Sequence, residues 1–401
     1  MERVILHVDV NNAFLSWTAV EKLKNGETID IRKIPAIIGG DEKQRRGVVL
    51  AKSPIAKKLG IQTGEPIYFA RKKCPSLQIF QSDFSVYYKY SNALYNLLCD
   101  YTDKIERFSI DECFMDITNY LGKRKPYDIA LEINKRVKEN FGFTVNIGIA
   151  NNKLLAKMAS DFEKPDKIHT LYTNEIPTKM WNLPISELFM VGRKSLPKLE
   201  RMRIKTIGDL AKKEEQELIK AFGKYGKMIW EYANGIDNSE VIWEEPDPKC
   251  IGNSVTLPYD VSNLEKLQEI LLSLVEQTTY RLRKHNLYAS VVNVQLKTNT
   301  FKVRSHQRKM DIETNSTKII YEEAKRLLKE LYEQDPIRLI GIRVDGLTNK
   351  EEVQLSIFKH QENEKQEKLD KVIDHIKDKY GYNTITRAGK IHLDETPDKL
   401  K

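Results

Sequence analysis

Cysteine is scarce in this sequence, with four residues among 401, and the four lie far apart: Cys74, Cys99, Cys113 and Cys250. No two of them have the short paired spacing of a zinc knuckle, and together they do not form the dense pattern of a disulfide framework. We therefore expect free thiols and a reducing, cytoplasmic environment.

Long apolar runs are also lacking. The opening stretch MERVILHVDV is typical of a short buried strand, without a basic segment leading into a long apolar run or a small-residue cleavage site. We expect neither export nor membrane insertion. Hydrophobic residues make up 40% of the chain and charged residues 31%, as in ordinary soluble proteins. Because single cores rarely grow this large, the length predicts two to four compact units.

Acidic residues are fewer than basic ones, and the formal net charge is +9. This excess suits a polyanionic partner, but many proteins that never bind nucleic acid share it. The stretch 281–309 is more informative, because it contains no Asp or Glu. On alternating strands its basic side chains can line one sheet face and follow a phosphate backbone, although a merely solvated face is the alternative.

The predicted order of elements describes an α+β sheet with helices on one face. Residues 3–10 predict a buried strand that ends at the polar pair Asn11–Asn12. KIERFS and CFMDIT predict a hairpin with Asp111 and Glu112 in its turn. FTVNIGIA then predicts a strand, and NNKLLAKMASDF predicts the helix after it.

The rest of the chain changes character twice. Residues 176–235 predict short helices without a convincing strand, and the acidic, proline-bearing segment 241–248 predicts a linker. Strand and helix patterns alternate again over 249–347. Beyond Thr348 the chain is strongly charged, apart from the helix-like LDKVIDHIKDKYG, and we interpret it as a tail.

Three carboxylates stand out for their positions. Asp9 ends a buried strand, while Asp111 and Glu112 occupy a hairpin tip, and in a small sheet these ends can be neighbours. Carboxylates gathered without a matching Arg or Lys repel each other, and Mg²⁺ relieves that repulsion because it prefers oxygen ligands and bridges phosphates. Two such ions activate a hydroxyl and stabilise a leaving pyrophosphate. Each motif alone is also a common surface feature.

Three longer segments resemble motifs of the Y-family DNA polymerases. HVDVNNAFLSW is similar to the first motif, RFSIDECFMDIT to the second and GIANNKLLAKMASDFEKP to the third, in that order. The resemblance continues through a thumb-like segment and KCIGNSVTL, which is similar to the start of the little-finger domain. It covers nearly the whole chain.

The resemblance implies a multidomain α+β fold, a right-hand polymerase with a ferredoxin-like palm, small fingers, a helical thumb with a helix-hairpin-helix, and an α+β little finger. It also implies template-directed addition of deoxynucleotides to a primer 3′ end. Short fingers imply loose checking of base-pair geometry, hence low-fidelity synthesis across damaged templates. The implied division is palm 1–10 and 83–171, fingers 11–82, thumb 172–240, linker 241–248, little finger 249–347 and a tail 348–401 with a clamp-binding peptide.

By position, Asp9, Asp111 and Glu112 match the family's catalytic, metal-binding carboxylates, and the carbonyl of Val10 completes the shell of one ion. The implied cofactors are two Mg²⁺ ions, and Mn²⁺ accepts the same ligands. Phe14 matches the steric gate, an aromatic ring that clashes with a ribose 2′ hydroxyl and so selects deoxynucleotides. A simple core phenylalanine is the alternative.

Nucleotide binding involves one match and two departures. Lys164 matches a lysine that contacts the incoming triphosphate. Asn11 stands where the family often has a second Asp, usually not a direct ligand. Pro54 and Lys57 replace a Tyr-x-x-Arg pair, so only the point charge of Lys57 remains there. The segment AKSPIAKKLG is nearer the polymerase V-like than the polymerase IV-like branch, and the branch stays open.

DNA contacts are implied in two places. ELFMVGRKSLPKLERMRIKTIGDL resembles a helix-hairpin-helix with Val191, Gly192 and Arg193 in its turn, whose amides can hold a phosphate; an ordinary helical hairpin is the alternative. Arg193 replaces the usual second glycine, which puts the tightness of the turn in doubt. The other implied contacts come from the basic stretch: Arg281, Arg283, Lys302, Arg304 and Arg308.

The segment QLSIF resembles the peptide by which bacterial polymerases bind the ring-shaped sliding clamp. Leu355, Ile357 and Phe358 would enter an apolar groove and Gln354 would make a polar contact, although a final edge strand is the alternative. Tethering raises the local concentration of an enzyme at a primer end. The implied partners are primer-template DNA, deoxynucleoside triphosphates and the clamp, with the polymerase itself a monomer.

Two other functions stay open at this point. A nucleotidyl cyclase would share the paired-acid hairpin but leaves the basic stretch and QLSIF unexplained. A clamp- or DNA-binding protein without polymerase activity would explain Asn11, Pro54 and Lys57 but not the retention of all three carboxylates.

Overall fold

The computed structural model describes residues 2–41, 45, 47–244, 247–349, 360–381 and 384–385. The chain divides into two compact units, residues 1–40 with 48–245, and residues 41–47 with 246–401. Over the described ranges, no helix combines the length and apolar character needed to cross a membrane. The QLSIF segment, Gln354 to Phe358, lies outside the described residues.

A five-stranded sheet forms the centre of the first unit, in the order β5-β6-β1-β7-β8. Strand β1 is antiparallel to β6 and β7, and all six of its residues are buried, as its apolar, β-branched sequence predicts. The strands are β1 Ile5–Val10, β5 Ile105–Arg107, β6 Glu112–Asp116, β7 Val145–Ala150 and β8 Ile168–Leu171.

Helices cover both faces of this sheet, which corrects the expectation of helices on one face. Apolar residues of three helices share a core with Leu6 and Val8 of β1. Ile5, on the opposite face, packs with a further helix and the segment that follows it. The first three are α1 Ala13–Lys24, α4 Phe84–Leu98 and α5 Pro126–Phe141, and the fourth is α6 Lys153–Asp161.

Gly148 of β7 lets α6 lie close against the sheet. A Cβ atom at this position would stand 1.9 Å from the carbonyl oxygen of Ala156, so any side chain would push the helix away. The helix begins where Asn152 caps it, its side chain accepting a hydrogen bond from the Leu155 amide. Polar side chains on the inner face of α6 therefore reach the strand ends.

A small three-stranded sheet, ordered β3-β2-β4, lies in the same unit. Ser53 caps the short helix after β3, and Pro54 occupies its first turn, where a missing amide hydrogen costs nothing. The elements are β2 Ala36–Gly39, β3 Val49–Lys52, α2 Pro54–Lys58, α3 Ile67–Lys73 and β4 Gln78–Gln81.

The segment that follows the central sheet is helical, as predicted. Its apolar residues join the core formed with α6, and an isolated bridge pairs Pro184 with Thr206. Its α-helices are α7 Leu196–Arg201, α8 Ile207–Ala211, α9 Glu215–Phe222 and α10 Lys224–Ala233.

The second unit is built on a four-stranded antiparallel sheet in the order β11-β10-β12-β9. Two helices share its core, and a third contacts those helices. This third helix corrects the interpretation of the whole segment after Thr348 as a tail. The elements are β9 Cys250–Val261, α11 Leu264–Lys284, β10 Leu287–Thr298, β11 Val303–Thr314, α12 Thr317–Leu331, β12 Ile337–Asn349 and α13 His360–Tyr380.

Candidate active site and nucleic-acid interface

Asp9 and Glu112 are direct cross-strand partners on β1 and β6. Facing residues on paired antiparallel strands have Cβ atoms about 5 Å apart, so the two carboxylates are neighbours. Asp9 is buried and Glu112 is half-buried. The sheet thus brings together two of the three carboxylates that the sequence singled out.

Lys157 lies between these carboxylates, a residue that the sequence analysis missed. Its Nζ is 3.0 Å from Glu112 Oε1 and 3.4 Å from Asp9 Oδ2, and the residue is only 8% exposed. Lys164 approaches from the following loop, with Nζ 2.7 Å from Asp9 Oδ2. The expectation of carboxylates without a matching lysine is therefore wrong, because α6 and its loop supply two.

The charges in this cluster shift one another's pKa. Burial raises the pKa of Asp9, while Lys164 and Lys157 act against that increase. Burial acts in the same way on Glu112, but contacts from His7 and Lys157 outweigh it and lower the pKa of Glu112 to about 2. Burial opposes charge on both lysines too, yet the surrounding carboxylates raise their pKa. Each of these four charged groups therefore has at least one oppositely charged neighbour.

Asp111 stands slightly apart from this pair. Its carboxylate accepts a hydrogen bond from Ser109 Oγ at 2.6 Å, and its backbone carbonyl accepts one from the Val10 amide at 3.0 Å. The hairpin turn is therefore attached to the end of β1. In the part of the chain that the structure describes, no three carboxylate, imidazole or thiolate groups converge on one point.

The donor set nevertheless fits a hard divalent cation. All of its ligating atoms are oxygens, the type that Mg²⁺ prefers. The position of Lys157 Nζ, in contact with both Asp9 and Glu112, shows that one positive charge reaches both carboxylates. Asp111 lies next to Glu112 in the turn, and its half-exposed side chain is available as a third oxygen donor.

Asn11 is part of the framework that positions Lys164. Its side-chain oxygen accepts hydrogen bonds from the Asp166 amide and from Thr144 Oγ1, and its amide donates to Asn146 Oδ1. Asn146 in turn donates to the carbonyl oxygens of Ser160 and Glu163. The loop that carries Lys164 is thereby fixed to the ends of β1 and β7.

Phe14, the predicted steric gate, lies in the first turn of α1. Its ring stacks on Tyr87 with centroids 4.4 Å apart and meets Phe84 edge-on at 5.9 Å. The ring is half-buried, so one part of it packs against the core and the rest remains accessible. The aromatic contacts hold the ring of Phe14 in place. Its role as a steric gate stays a prediction.

The small sheet contributes a second positive pair. Lys57 is exposed on α2. Burial lowers the pKa of Lys52, and the charge of nearby Lys57 lowers it further. Lys52 lies at the end of β3, where its Nζ donates to Thr63 Oγ1 at 3.0 Å. Sequence analysis did not single out Lys52, although it precedes Lys57 closely in the chain.

The predicted helix-hairpin-helix turn is solvent-accessible. Gly192 and Arg193 are exposed, and the Gly192 carbonyl accepts hydrogen bonds from the amide and hydroxyl of Ser195. Met190, not Arg193, adopts the left-handed conformation, with φ of 71°. The missing second glycine therefore places no strained residue at position 193.

Arg283 is the clearest correction among the predicted DNA contacts. It is only 9% exposed in its side chain, and its guanidinium is bound to Asp374 of α13 and to the carbonyl of Asn315. A group enclosed in this way is unavailable to a phosphate. Arg281, two residues earlier, is exposed and donates to the Gly252 carbonyl at 3.1 Å.

Two arginines of β11 lie on the helix-covered side of the sheet. Arg304 pairs with the buried Leu296 in register and Arg308 with the buried Val292. Their guanidinium groups meet nearby acids, Arg304 at Glu333 and Asp335, and Arg308 at Glu323 and Glu330. The basic stretch therefore does not line one face, because strand alternation divides it.

The opposite face of this sheet is open and polar. It contains a hollow of about 430 Å³, whose floor includes Gly252 and Gly341. Lys309 stands on this face beside Arg308, and Lys302 is exposed in the turn between β10 and β11. Sequence analysis did not single out the polar residues that line the hollow, of which only Arg343 is charged, and its Nε is 2.9 Å from Asp345 Oδ2: Asn253, Ser254, Asn293, Gln295 and Arg343.

Comparison with known proteins agrees with this architecture. Residues 8–161 match the impB/mucB/samB family, residues 248–357 match the C-terminal domain of that family, and residues 186–237 match the thumb domain of DNA polymerase iota. A solved Y-family DNA polymerase chimera of Dbh and Dpo4 superimposes with a TM-score of 0.76 at 26% identity, covering 86% of this chain and 100% of the chimera.

Curated relatives are similar along their whole length. DNA polymerase IV of Clostridium acetobutylicum is 50% identical over 98% of this chain and 100% of its own. DNA polymerase IV of Acetivibrio thermocellus is 36% identical, covering 97% of each chain, and DNA polymerase IV 1 of Bacillus subtilis is 32% identical over 99% of this chain and 95% of its own. The chain therefore belongs to the Y family of DNA polymerases, and its function is that of a DNA-directed translesion polymerase.

Proposed function

We propose that this polymerase joins deoxynucleotides to a primer 3′ end by two-metal catalysis at Asp9, Asp111 and Glu112. The observation that carries the proposal is the pairing of Asp9 with Glu112 on adjacent strands, with a cationic group between them. The carbonyl of Val10 completes the oxygen ligands. Bound Mg²⁺ or Mn²⁺ would lower the pKa of the primer hydroxyl and neutralise the charge of the leaving pyrophosphate.

The lysines bind the incoming triphosphate in this proposal. Lys164 is held beside Asp9 by a loop fixed through Asn11, so its ammonium lies where the phosphates meet the carboxylates. Lys52 and Lys57 add charge from the small sheet, and a polyanion between them relieves their mutual repulsion. Phe14 then excludes the ribose 2′ hydroxyl from the sugar position.

DNA is gripped at two surfaces. The exposed turn at Gly192 and Arg193 offers backbone amides to a phosphate. The open face of the second unit's sheet offers Lys309 and a polar hollow whose lining includes Arg343. Lys302 is exposed in the turn between β10 and β11, and Arg281 is exposed on α11; both add basic groups to the second unit. These contacts address the phosphate backbone, which suits an enzyme that copies templates of any sequence.

The segment QLSIF, residues 354–358, binds the replicative sliding clamp in this proposal, and the polymerase is a cytoplasmic monomer. Leu355 and Phe358 supply the apolar anchors. Binding of wild type and of the Leu355→Ala/Phe358→Ala variant to a purified bacterial clamp, measured by calorimetry, tests the assignment. Equal affinity of the two proteins would remove it.

The principal test is primer extension on an undamaged and on an abasic template with single deoxynucleotides and Mg²⁺. We expect wild type to extend both primers and the Asp111→Ala/Glu112→Ala variant to extend neither. The matched control removes two exposed carboxylates of α5, Asp128→Ala/Glu139→Ala, and is expected to retain wild-type extension. Extension by the active-site double variant at the wild-type rate would refute the carboxylate assignment.

A further inference from the structure

His7 is a fully buried histidine on the same strand as Asp9. Because side chains of a strand alternate between faces, residues 7 and 9 lie on the same side of β1, facing α6. The cross-strand partner of His7 on β7 is Gly148, whose lack of a side chain admits α6. The ring therefore fills the space between the sheet and the helix that carries Lys157.

The two ring nitrogens of His7 have different surroundings. Nδ1 is 2.8 Å from Ser160 Oγ, a hydrogen-bond distance. Nε2 is buried and has no hydrogen-bond partner among the residues that the structure describes; it stands 3.6 Å from Glu112 Oε2, slightly beyond that distance. Ser160 Oγ also lies 2.8 Å from the carbonyl oxygen of Lys157. An orphaned polar atom in the interior, directed at a carboxylate, requires an explanation.

The single hydroxyl proton of Ser160 selects between two arrangements. If Ser160 donates to the Lys157 carbonyl, Nδ1–H of His7 donates to Ser160, and the bare lone pair of Nε2 faces the Glu112 carboxylate. If Ser160 donates to Nδ1 instead, Nε2 carries the ring proton and directs it at Glu112 Oε2. The first arrangement keeps the Ser160 hydrogen bond to the Lys157 carbonyl but sets the Nε2 lone pair against a carboxylate. The second leaves Ser160 Oγ and the Lys157 carbonyl oxygen 2.8 Å apart without a proton between them, and it gains a charge-assisted hydrogen bond to Glu112 after a small approach. A hydrogen bond to a charged group is about twice as strong as a neutral one, which favours the second arrangement.

We propose that His7 is a positioning residue of the polymerase site, whose Nε2–H holds the Glu112 carboxylate in the orientation that binds a divalent ion. The Ser160 hydroxyl fixes the ring tautomer by donating to Nδ1. The inference rests on the proposed function, because it takes Glu112 as a metal ligand. Partners that orient a ligating group contribute about 10-fold to 100-fold to metal affinity.

Two isosteric substitutions separate this role from simple core packing. In His7→Gln the side-chain amide reaches the position of Nε2, so the contact with Glu112 is kept and that with Ser160 is lost. In His7→Asn the amide reaches only the position of Nδ1, so the contact with Ser160 is kept and that with Glu112 is lost. Loss of packing volume affects both variants, with asparagine the smaller.

The first measurement is Mn²⁺ binding to the full-length protein by electron paramagnetic resonance, which does not depend on turnover. We expect His7→Asn to weaken Mn²⁺ binding about 10-fold or more, and His7→Gln to stay within about 2-fold of wild type. Primer extension over a Mg²⁺ series should agree, with a higher half-saturating concentration for His7→Asn and a maximal rate close to wild type.

Controls distinguish failure of this inference from failure of the proposed function. Glu112→Ala should abolish the tightest Mn²⁺ site, and if it does not, the metal assignment itself is wrong. If Glu112→Ala removes the site while His7→Asn leaves it unchanged, or if both histidine variants weaken it equally, the positioning role of His7 is refuted. Ser160→Ala, which keeps the histidine, is expected to weaken Mn²⁺ binding several-fold and serves as the test if His7→Asn does not fold.

Discussion

Arg283 of α11 and Asp374 of α13 form a two-bonded ion pair, with Nε 2.6 Å from Oδ2 and Nη2 2.9 Å from Oδ1. One helical turn earlier on α13, Asp370 is 2% exposed and accepts a hydrogen bond from the Thr317 amide at the start of α12. Helix α13 therefore contacts α11 and α12 of the same unit through charged groups, and Asp370 acts as a cap for α12, a helix distant in sequence.

Removal of Arg283 should destabilise the second unit. Arg283→Ala leaves Asp374 and the buried Asp370 without their shared cation, which costs on the order of 3 kcal/mol. We expect a correspondingly lower urea midpoint for the second unit of the full-length protein. The control is the exposed Arg281→Ala, for which a change within about 0.5 kcal/mol is expected. Similar losses in both variants would contradict the special role of the ion pair.

Neighbouring residues of β11 should differ in their effect on DNA binding. Lys309 stands on the open face and Arg308 on the helix side, where it pairs with Glu323 and Glu330. We expect Lys309→Ala to reduce the slope of log affinity against log salt by about 0.9, the loss of one phosphate contact. Arg308→Ala should leave this slope unchanged. Fluorescence anisotropy with primer-template DNA over a NaCl series measures both slopes. A larger loss of slope in Arg308→Ala than in Lys309→Ala would mean that DNA binds the helix-covered face instead.

Lys52 is expected to contribute to nucleotide affinity. Its pKa is lowered by burial and by the charge of Lys57, and a bound triphosphate compensates both effects. Lys52→Met should raise the KM for deoxynucleotides about tenfold, the value of one charged hydrogen bond, with kcat less affected. Lys58→Met, an exposed position of the same helix as Lys57, is the control in steady-state extension assays. A KM that rises equally in both variants would indicate a diffuse effect of charge.

Phe14 is expected to control sugar selection. Phe14→Ala removes the ring that stacks on Tyr87 and opens the sugar position to a 2′ hydroxyl. The ratio of kcat/KM for dCTP over CTP should fall by about tenfold to a hundredfold, as for other apolar pockets that exclude one small group. Phe84→Ala removes an exposed ring that meets Phe14 edge-on and should change the ratio little. An unchanged dCTP/CTP ratio in Phe14→Ala would show that Phe14 only packs against the core and does not select the sugar.

The stability contribution of Glu112 should be lost in acid. Burial opposes its charge, but His7 and Lys157 lower its folded-state pKa from 4.5 to about 2. A carboxylate whose pKa is lowered by folding contributes its full stabilisation at pH values above its unfolded-state pKa. This contribution decreases as the pH falls toward the folded-state pKa. The excess stability of wild type over Glu112→Gln, from urea unfolding, should be constant above about pH 5 and shrink between pH 4.5 and 2. A difference that grows on acidification would reverse the assignment.

Local sequence patterns were sufficient to predict the strands and the turn that carry the carboxylate pair. The buried run of β1 and the hairpin around Asp111 and Glu112 are encoded by strand periodicity and a polar turn, both short-range signals. The helix after β7 was likewise predicted from its apolar spacing. Three ordered motifs supplied the family, and the comparisons confirm it.

The sequence by itself determined which side chains are available: the three carboxylates, the basic stretch 281–309 and the helix-forming segment near the end. Only the tertiary structure decided their partners. Packing of α6 against Gly148 brought Lys157 to the carboxylates, and docking of α13 enclosed Arg283. Arg308 and Lys309 face opposite ways because side chains alternate along a strand, and the pairing of β11 with β10 decided which of the two faces the helices, since a shift of one residue exchanges the two faces. These contacts join residues tens to hundreds of positions apart, and short-range periodicity contains no information about them.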